Sequence, residues 1–476
     1  MNADPADAAG APPALATELA GFAHGLRRTS IAGSAVDHAT MLILDAIGCA
    51  LGGWAAEETP QVLRTARHLG DTGPSTVIGD DVTSSMLASV LANAYLSTAI
   101  TACDVYTPAH CHLTPEVVPA ALAVAEQEHS PGPAFLTAVT AGLEAASRLL
   151  RAIDYAVFRR RGWHAPGVIG PVGAAVAAGL LLGLDEAGLR TAMSLAVSQA
   201  AGTFAAWPTT AVKFHQARGA AAGLLAARLA AEGFTAAAEP FLAPDGGLFR
   251  SYSPGDAALA VGDLGRRWEL EQISVRLWPG ATPVQALLTA LLGSGRTLPP
   301  VPPAAELAAV HIRVPPATYE AHRHLAHPAG CFEALLSFHY VAAVCLLEGR
   351  FDIDLADQGH CADPGTLRFI DQHIVFEPDA GVPRGGVRVT LTTRDDATVD
   401  IGVEHALGTP QSPASRTQVE DKFLRYAAPR LGAGRSKDLL AEVAGLDQAG
   451  DCADLIRRTR PGVEGPDPSR PGGCPA

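Results

Sequence analysis

Apolar residues in the first 270 positions recur at the three- and four-residue spacing of an amphipathic helix. In the segment that begins at Asp37, for example, Met41, Leu42, Asp45 and Ala46 fall on one helical face. Almost no stretch in this region alternates between apolar and polar positions, so we expect the region to be all-helical. The predicted helices cover residues 15–51, 86–101, 119–128, 135–154, 171–184, 186–203 and 214–232.

The pattern of apolar positions changes near residue 271. Four segments alternate in the manner of half-buried strands, and helical runs at 282–294 and 331–348 accompany them. The predicted strands cover residues 308–314, 373–376, 386–392 and 398–401. After a polar loop at 407–416 the helical spacing returns, and the helices predicted there cover residues 418–431, 436–445 and 450–458.

This order predicts a mostly α protein with two domains. Residues 14–270 and 407–460 are expected to form a large all-helical domain, and residues 271–406 a smaller α+β lid domain. The two ends, 1–13 and 461–476, are rich in small residues and proline and are expected to be disordered. A cleft between two such domains is the usual place for a small ligand.

Composition narrows the class of protein. The chain of 476 residues is 48% hydrophobic and 18% charged, which is typical of a globular protein. Its net charge of -14 disfavours nucleic acid as a partner, because nucleic-acid-binding proteins usually carry a basic surplus. The longest apolar stretch, 168–184, contains several glycines and Pro171 and predicts a buried helix rather than a membrane span. Asp4 and Asp7 stand where a signal peptide carries positive charge, so we expect a cytoplasmic protein.

The densest group of reactive side chains lies between two predicted helices. It contains Cys103, Asp104, Tyr106, His110 and His112. Such a junction is typical of an active-site loop, although a polar surface loop has a similar composition. The spacing of these residues does not suit a structural zinc site, and the eight cysteines of the chain include no Cys-x-x-Cys pair. Phosphate-binding loops and the G-x-S-x-G elbow are also missing, so we expect no metal, no nucleotide cofactor and ordinary reduced thiols.

Three further side chains suit the handling of an acid. His164 precedes the start of a Gly-rich helix, where an imidazole is biased towards the neutral form that accepts a proton. Lys213 begins another helix in a chain with only three lysines, and a lysine there can bind a carboxylate. Arg276 lies where the helical pattern ends, and it can hold an anion from a hinge. The alternative interpretations are a structural histidine and a solvated lysine.

Several stretches, taken in order, resemble the MmgE/PrpD family, which includes 2-methylcitrate dehydratase, cis-aconitate decarboxylase and iminodisuccinate epimerase. The stretches are DAIGCALGG at 45–53, ANA at 92–94, VVPAAL at 117–122, GWH at 162–164, GPVGAA at 170–175, KFHQARGAA at 213–221, AEGFT at 231–235 and FHYVAAVCLLEG at 338–349. The resemblance implies a helical domain formed by both ends of the chain and a smaller α+β lid. It also implies a homodimer and a cofactor-free active site in the cleft between the domains.

The resemblance assigns roles residue by residue. His112, His164 and Lys213 match family residues at the site. Arg276 falls where many members have a lysine, and Tyr319 is a looser match to an active-site tyrosine of the decarboxylase.

The chain departs from the family in the acidic loop. The family run Asp-Phe-Asp-Asp-Thr-His reads Thr101-Ala-Cys-Asp104-Val-Tyr106 here, so one carboxylate remains. Ala281 stands where the decarboxylase has a histidine. A tricarboxylate needs several polar partners, so these losses predict a smaller or less charged acid, or an acid with a large apolar part.

We expect a cofactor-independent lyase, a dehydratase that takes a proton alpha to the carboxylate of a hydroxy acid. Decarboxylation and epimerisation are alternative reactions that use the same chemistry. A non-catalytic binding protein is an alternative of a different class. A role in secondary metabolism is compatible with each of the reactions. The expected catalytic residues are His112, His164, Lys213 and Asp104, and the expected substrate-binding residues are Arg276, Thr101, Tyr106, His110 and Tyr319. The expected partners are a small carboxylic acid and a second copy of the chain, with neither nucleic acid nor membrane. The cations and histidines together predict a basic pocket inside an acidic protein.

Overall fold

The computed structural model describes residues 15–26, 31–70, 72–207, 209–293 and 298–462. The N-terminal segment predicted to be disordered, 1–13, lies outside these ranges, as does the C-terminal one apart from residues 461 and 462. Helices predominate, and a single sheet of more than two strands lies in the second half of the described chain. The predicted fold class, mostly α with a smaller α+β part, is confirmed.

The first part of the chain is helical, with two short strand pairs that the sequence did not predict. Its helices are α1 (Leu15–Gly25), α2 (Gly33–Gly52), α3 (Thr59–Leu69), α4 (Met86–Ala99), α5 (Thr114–Gln127), α6 (Gly132–Ala152), α7 (Tyr155–Arg160), α8 (Ala165–Leu181), α9 (Glu186–Ser198), α10 (Phe214–Ala231), α11 (Leu248–Ser251) and α12 (Ala257–Val261). Strand β1 (Ser75–Thr76) pairs with β2 (Thr83–Ser84), and β3 (Val105–Tyr106) pairs with β4 (Ile273–Ser274). Helix α5 begins five residues before the predicted start at 119, because a proline in the first turn needs no hydrogen-bond partner for its nitrogen.

Small residues let the central helices approach one another closely. A Cβ atom added to Gly173 of α8 would lie 2.8 Å from the carbonyl oxygen of Gly142 in α6. One added to Gly223 of α10 would lie 2.5 Å from the Cβ atom of Ala174 in α8. The abundance of alanine and glycine in this half therefore has a structural cause, since larger side chains would separate these three helices.

Residues 285–403 contain a second group of elements, built on a four-stranded sheet. The strands β5 (Leu307–Val314), β6 (Ile374–Pro378), β7 (Val387–Thr393) and β8 (Thr398–Val403) stand in the order β6-β5-β7-β8. Strand β5 runs parallel to β6 and antiparallel to β7, and β8 closes one edge antiparallel to β7. The accompanying helices are α13 (Gln285–Leu292), α14 (Pro316–His322), α15 (Cys331–Ala334), α16 (Phe338–Glu348), α17 (Gln358–Cys361) and α18 (Pro364–His373). All four predicted strands are present.

The prediction of one continuous helix at 331–348 was wrong. This segment forms two helices, α15 and α16, with a turn between them. Ser337 caps α16 by accepting a hydrogen bond from the backbone N–H of Tyr340, and this cap starts a new helix. The turn matters for the site described below. The carbonyl of Leu335 accepts a hydrogen bond from the backbone of Ala281, and the carbonyl of Leu336 accepts one from a side chain of α14.

The chain ends in helices that return to the first part. They are α19 (Arg416–Leu431), α20 (Ala433–Ala444) and α21 (Cys452–Arg458). Buried apolar residues of 15–277 and 407–456 form one large and one smaller cluster, and those of 281–406 form a separate one. The domain boundaries at 271 and 407 stay a prediction.

One helical stretch within the described residues, Gly33–Ala55, is long and apolar enough to span a membrane by length and composition. Of its most apolar window, 72% is buried inside the protein. The helix α2 that forms most of this stretch packs against α4 and α19. This surrounding is that of a core helix.

Candidate active site

A cavity of about 590 Å³ lies where the helical part of the chain meets the α+β part. The helical part supplies one wall, from the loop after α4 and from the starts of α8 and α10. The α+β part supplies the other wall, from α14 and α15. The structure brings six of the predicted residues to this cavity: Thr101, His110, His112, His164, Lys213 and Arg276.

Lys213 ends a 3-10 turn, Thr210–Lys213, that leads directly into α10. Its Nζ atom donates a hydrogen bond to the carbonyl of Ala99 and lies 5.3 Å from the centre of the Phe332 ring. Within the described residues, no carboxylate oxygen lies within 4.0 Å of Nζ. Burial lowers the pKa of Lys213, and a more distant Glu58 opposes that shift only in part. The ammonium group is therefore a buried cation without an ionic partner in this part of the molecule.

Three backbone carbonyls hold His112 and Arg276 in place. The Nδ1 atom of His112 lies 2.6 Å from the carbonyl oxygen of Asp104. A carbonyl only accepts hydrogen bonds, so Nδ1 carries the proton and Nε2 keeps its lone pair. The guanidinium of Arg276 donates to the carbonyl of Cys103 at 2.6 Å and to that of Gly280 at 2.9 Å. Burial, with the Arg276 charge, lowers the pKa of His112 and keeps its ring neutral.

His164 stands at the N-cap of α8 and forms a pair with a second histidine. The Nδ1 atoms of His164 and His215 lie 2.9 Å apart, so one ring donates and the other accepts. Burial lowers the pKa of His164 well below its ordinary value, and His215 contributes in the same direction. A neutral imidazole at this place is a suitable base.

Thr101 holds an unusual backbone conformation at the cavity wall. Its φ of 57° is left-handed, which is strained for a β-branched residue, and its carbonyl accepts a hydrogen bond from the N–H of Gly280. Its Oγ1 atom is buried and has no hydrogen-bond partner among the described residues. The hydroxyl is thus a buried donor without a partner beside the cavity, and its role in substrate binding stays a prediction.

The structure places three predicted site residues away from the cavity. The carboxylate of Asp104 accepts hydrogen bonds from the backbone N–H groups of Leu113 and Thr114 at 3.0 and 3.1 Å, so it caps the N-terminus of α5. Burial raises the pKa of Asp104, against these hydrogen bonds. Asp104 orients His112 through its backbone carbonyl and does not reach a substrate with its side chain.

The two tyrosines also have structural roles. Tyr106 is fully buried, and its hydroxyl donates to a carboxylate oxygen of Glu269 at 2.7 Å. Tyr319 packs its ring against Phe376, with 5.3 Å between the ring centres. It lies on α14, and that helix presents His322, one turn further along, to the cavity instead.

Sequence reasoning missed His322. Its Nδ1 atom lies 2.9 Å from the carbonyl oxygen of Leu336, so the proton is on Nδ1 and Nε2 is open. Burial lowers the pKa of His322. Since Leu335 and Leu336 bind Ala281 and His322 respectively, this turn brings both residues to the same part of the cavity wall. No sequence pattern reports such a pairing.

Two arginines were also missed. The guanidinium of Arg159 lies 3.4 Å above the ring of Phe204 and donates to the carbonyl of Trp163. Arg384, from the loop before β7, donates to Nε2 of His110 at 2.9 Å. Burial, with the Arg384 charge, lowers the pKa of His110 to about 4. The sequence signal for Arg159 is a run of three arginines at 159–161.

The wall of the cavity is positively charged. Its cationic side chains are Arg159, Lys213, Arg276 and Arg384, and its lining residues include no Asp or Glu. Over the described residues, none of the four takes part in an ion pair. The predicted basic pocket inside an acidic protein is therefore present. In the same described ranges, no group of three or more His, Cys, Asp or Glu is arranged to hold a metal ion.

The chain is similar in sequence to known cis-aconitate decarboxylases over most of its length. The chain is 25% identical to the cis-aconitate decarboxylase of Aspergillus terreus, over 95% of this chain and 97% of that protein. It is 25% identical to the human cis-aconitate decarboxylase, over 94% of this chain and 93% of that protein. The cis-aconitate decarboxylase-like protein oryM of Aspergillus oryzae is 23% identical, over 93% and 96%.

The sequence profiles of one family cover most of the chain. The profile of the MmgE/PrpD N-terminal domain matches residues 17–259, and that of the MmgE/PrpD C-terminal domain matches residues 282–448. Together with the helical fold, its α+β part and the basic cavity between them, these matches show that the chain belongs to the MmgE/PrpD family.

Proposed function

We propose that this protein is a lyase that removes water from a small hydroxy carboxylic acid, beginning with abstraction of the proton alpha to a carboxylate. One observation carries the proposal. Four cations without an ionic partner among the described residues line one cavity together with neutral imidazoles. A carboxylate substrate supplies the charge that this wall lacks.

Lys213 and Arg276 are the proposed carboxylate-binding pair. Three N–H groups of Arg276 are turned towards Cys103 and Gly280, which fixes the guanidinium without neutralising its charge. Lys213 uses one hydrogen bond for Ala99 and has donors left for the substrate. In a buried site these charges stabilise the enolate-like charge that develops when the proton leaves.

Neutral imidazoles are the proposed bases. Nε2 of His112 is unprotonated, and His164 is held at a helix N-terminus in its neutral form. Either ring takes the proton alpha to the carboxylate, and Lys213 or a ring that has just been protonated gives one to the departing hydroxyl. The products are an unsaturated acid and water, so the atoms balance and the reaction needs no redox partner.

Decarboxylation is a second candidate, favoured by the names of the similar proteins. It uses the same cations to hold one carboxylate, while a second leaves as carbon dioxide from an uncharged surrounding. The aromatic wall formed by Phe204, Trp207 and Phe332 offers such a surrounding. The predicted homodimer, cytoplasmic location and role in secondary metabolism stay proposals.

The test is incubation with 2-alkyl-2-hydroxy dicarboxylic acids and their unsaturated counterparts in deuterated water. Loss of water supports dehydration, and loss of carbon dioxide supports decarboxylation. Gain of label without loss of mass shows reversible removal of the alpha proton, the first step of the proposed reaction, without elimination. Lys213→Ala and His164→Ala are expected to lower turnover by about 10²-fold or more. Lys437→Ala, at an exposed lysine of α20, is the matched control. Binding of these acids without any turnover would favour the alternative of a non-catalytic binding protein.

A further inference from the structure

A second cavity of about 310 Å³ adjoins the first. The two share lining residues, among them His110, Arg276 and Arg384, so they are compartments of one cleft. The hydrogen bond between Arg384 and His110 lies at their common wall. A ligand held by the cations of the first compartment can therefore extend past this pair into the second.

Apolar atoms form most of the exposed surface of the second compartment, although polar side chains outnumber apolar ones among its lining residues. Val105 and Pro108 line it from the helical part, and Leu407 lines it from the chain that leaves the α+β part. Its carboxylate-bearing lining residue, Glu404, is exposed and opposes a second carboxylate at that end. These surroundings fit an uncharged extension of a substrate. At about 30 Å³ for each water-sized group, 310 Å³ accommodates about ten such groups.

Gln285, which lines this compartment, has a buried polar atom without a partner among the described residues. The side-chain amide of Gln285 donates to the carbonyls of Trp278 and Gly280, both at 3.1 Å, so its nitrogen is fixed in place. Its Oε1 atom is buried and has no hydrogen-bond partner among the described residues. An acceptor left in this way costs free energy unless a ligand donates to it. A hydroxyl or amide N–H on the extension meets that need.

We propose that the second compartment is a subsite for an uncharged side chain on the acid substrate, an alkyl chain that carries a hydrogen-bond donor for Gln285. This inference rests on the proposed function, since the carboxylate anchors the ligand in the first compartment. It narrows the substrate class to substituted acids.

The test measures the affinity of 2-methylsuccinate, 2-butylsuccinate and 2-(4-hydroxybutyl)succinate by titration calorimetry. Each buried methylene is expected to raise affinity about threefold, so 2-butylsuccinate binds about 30-fold more tightly than 2-methylsuccinate. The terminal hydroxyl is expected to add about fivefold. Thr318→Trp fills the second compartment from α14 and is expected to remove both gains. Glu320→Trp, at an exposed position of the same helix, is the control that keeps them.

Three results would overturn one or both proposals. Equal affinity for 2-methylsuccinate and the longer acids leaves the carboxylate site standing and overturns the subsite. Absence of binding for all three acids overturns the proposed function, and the subsite with it. Gains in affinity that survive Thr318→Trp show that the chain lies elsewhere and also overturn the subsite.

Discussion

Two of the three lysines in this chain are buried, and they differ in what surrounds them. The Nζ atom of Lys422, in α19, lies 2.5 Å from a carboxylate oxygen of Asp45 in α2, and it also donates to the carbonyl of Ala102. Lys213 donates to the carbonyl of Ala99, which lies three residues before Ala102 in the chain. It has no carboxylate within ion-pair distance among the described residues. Both lysines thus bind the same short segment of backbone.

The difference shows how the fold separates a structural cation from a functional one. Burial alone would lower the pKa of Lys422, but the charge of Asp45 outweighs it and raises that pKa. At Lys213 burial prevails, and the pKa falls. A buried cation without a partner costs free energy, so its persistence is expected only where a ligand provides the missing charge. The comparison predicts that one lysine governs stability and the other activity.

Lys422→Met is expected to have the largest effect on stability. It leaves Asp45 buried without its partner, and breaking a buried pair costs about 3–5 kcal/mol of unfolding free energy. Thermal and urea unfolding measure the loss, with the exposed Lys437→Met as the control expected within about 0.5 kcal/mol of wild type. Asp45→Asn combined with Lys422→Met is expected to recover part of the loss. If Lys422→Met alone were as stable as wild type, the structural role of Lys422 would be contradicted.

Lys213→Ala is expected to give the opposite pattern. Loss of one stabilising cation should lower kcat/KM by about 10²–10³-fold. The melting temperature should stay the same or rise, because the substitution removes an unpaired buried charge. Steady-state kinetics and thermal unfolding of the same sample provide both readings. A drop in melting temperature like that of Lys422→Met would show that the two lysines do not differ.

The sequence could not have separated these lysines. Their rarity singled out Lys213, but it applied equally to Lys422, whose partner Asp45 is 377 positions away in the chain. Periodicity predicted the helices and the four strands because burial on one face repeats locally. It failed at the turn between α15 and α16, where the cap of Ser337 divides an apolar run.

At the site, too, local sequence patterns do not show which residues come into contact. Of the six predicted residues that reach the cavity, His164 and Lys213 stand at helix starts, and the other four lie in loops outside the helices. Tyr319 and His322 share α14, and only the packing of Tyr319 on Phe376 shows which of the two faces the cavity. Asp104 likewise acts through its backbone carbonyl, which no residue type reveals.

His322→Gln is expected to have a smaller effect than Lys213→Ala. Glutamine preserves a donor for the carbonyl of Leu336 but provides no titratable nitrogen, so we expect kcat to fall by about tenfold to 10²-fold with little change in KM. His324→Gln, at an exposed histidine just beyond α14, is the control. Loss confined to KM would show that His322 binds substrate rather than transferring a proton.

The smallest expected effect is a difference between two pH profiles. Burial lowers the pKa of His112 and His164, so these bases stay neutral and the acid limb of kcat/KM lies below the ordinary histidine pKa of about 6.5. Burial also lowers the pKa of Lys213. As the pH rises, Lys213 therefore loses its charge before the pH reaches the ordinary lysine pKa of about 10.4, and activity falls with that charge. The raised pKa of Lys422 keeps its ion pair with Asp45 intact over that interval.

As the pH rises, activity should therefore fall before the protein loses stability. The stability that Lys422 contributes is present below its unfolded pKa and is lost only as the pH passes its higher folded pKa. The lowered pKa of Lys213 has the opposite sign, since the unfolded chain then binds more protons, and its contribution to stability grows with pH. Activity and melting temperature recorded across the alkaline range test this, and Lys213→Arg, which stays charged, should move the alkaline limb upward. If activity and melting temperature fell together in wild type, the loss would come from unfolding and not from deprotonation of Lys213.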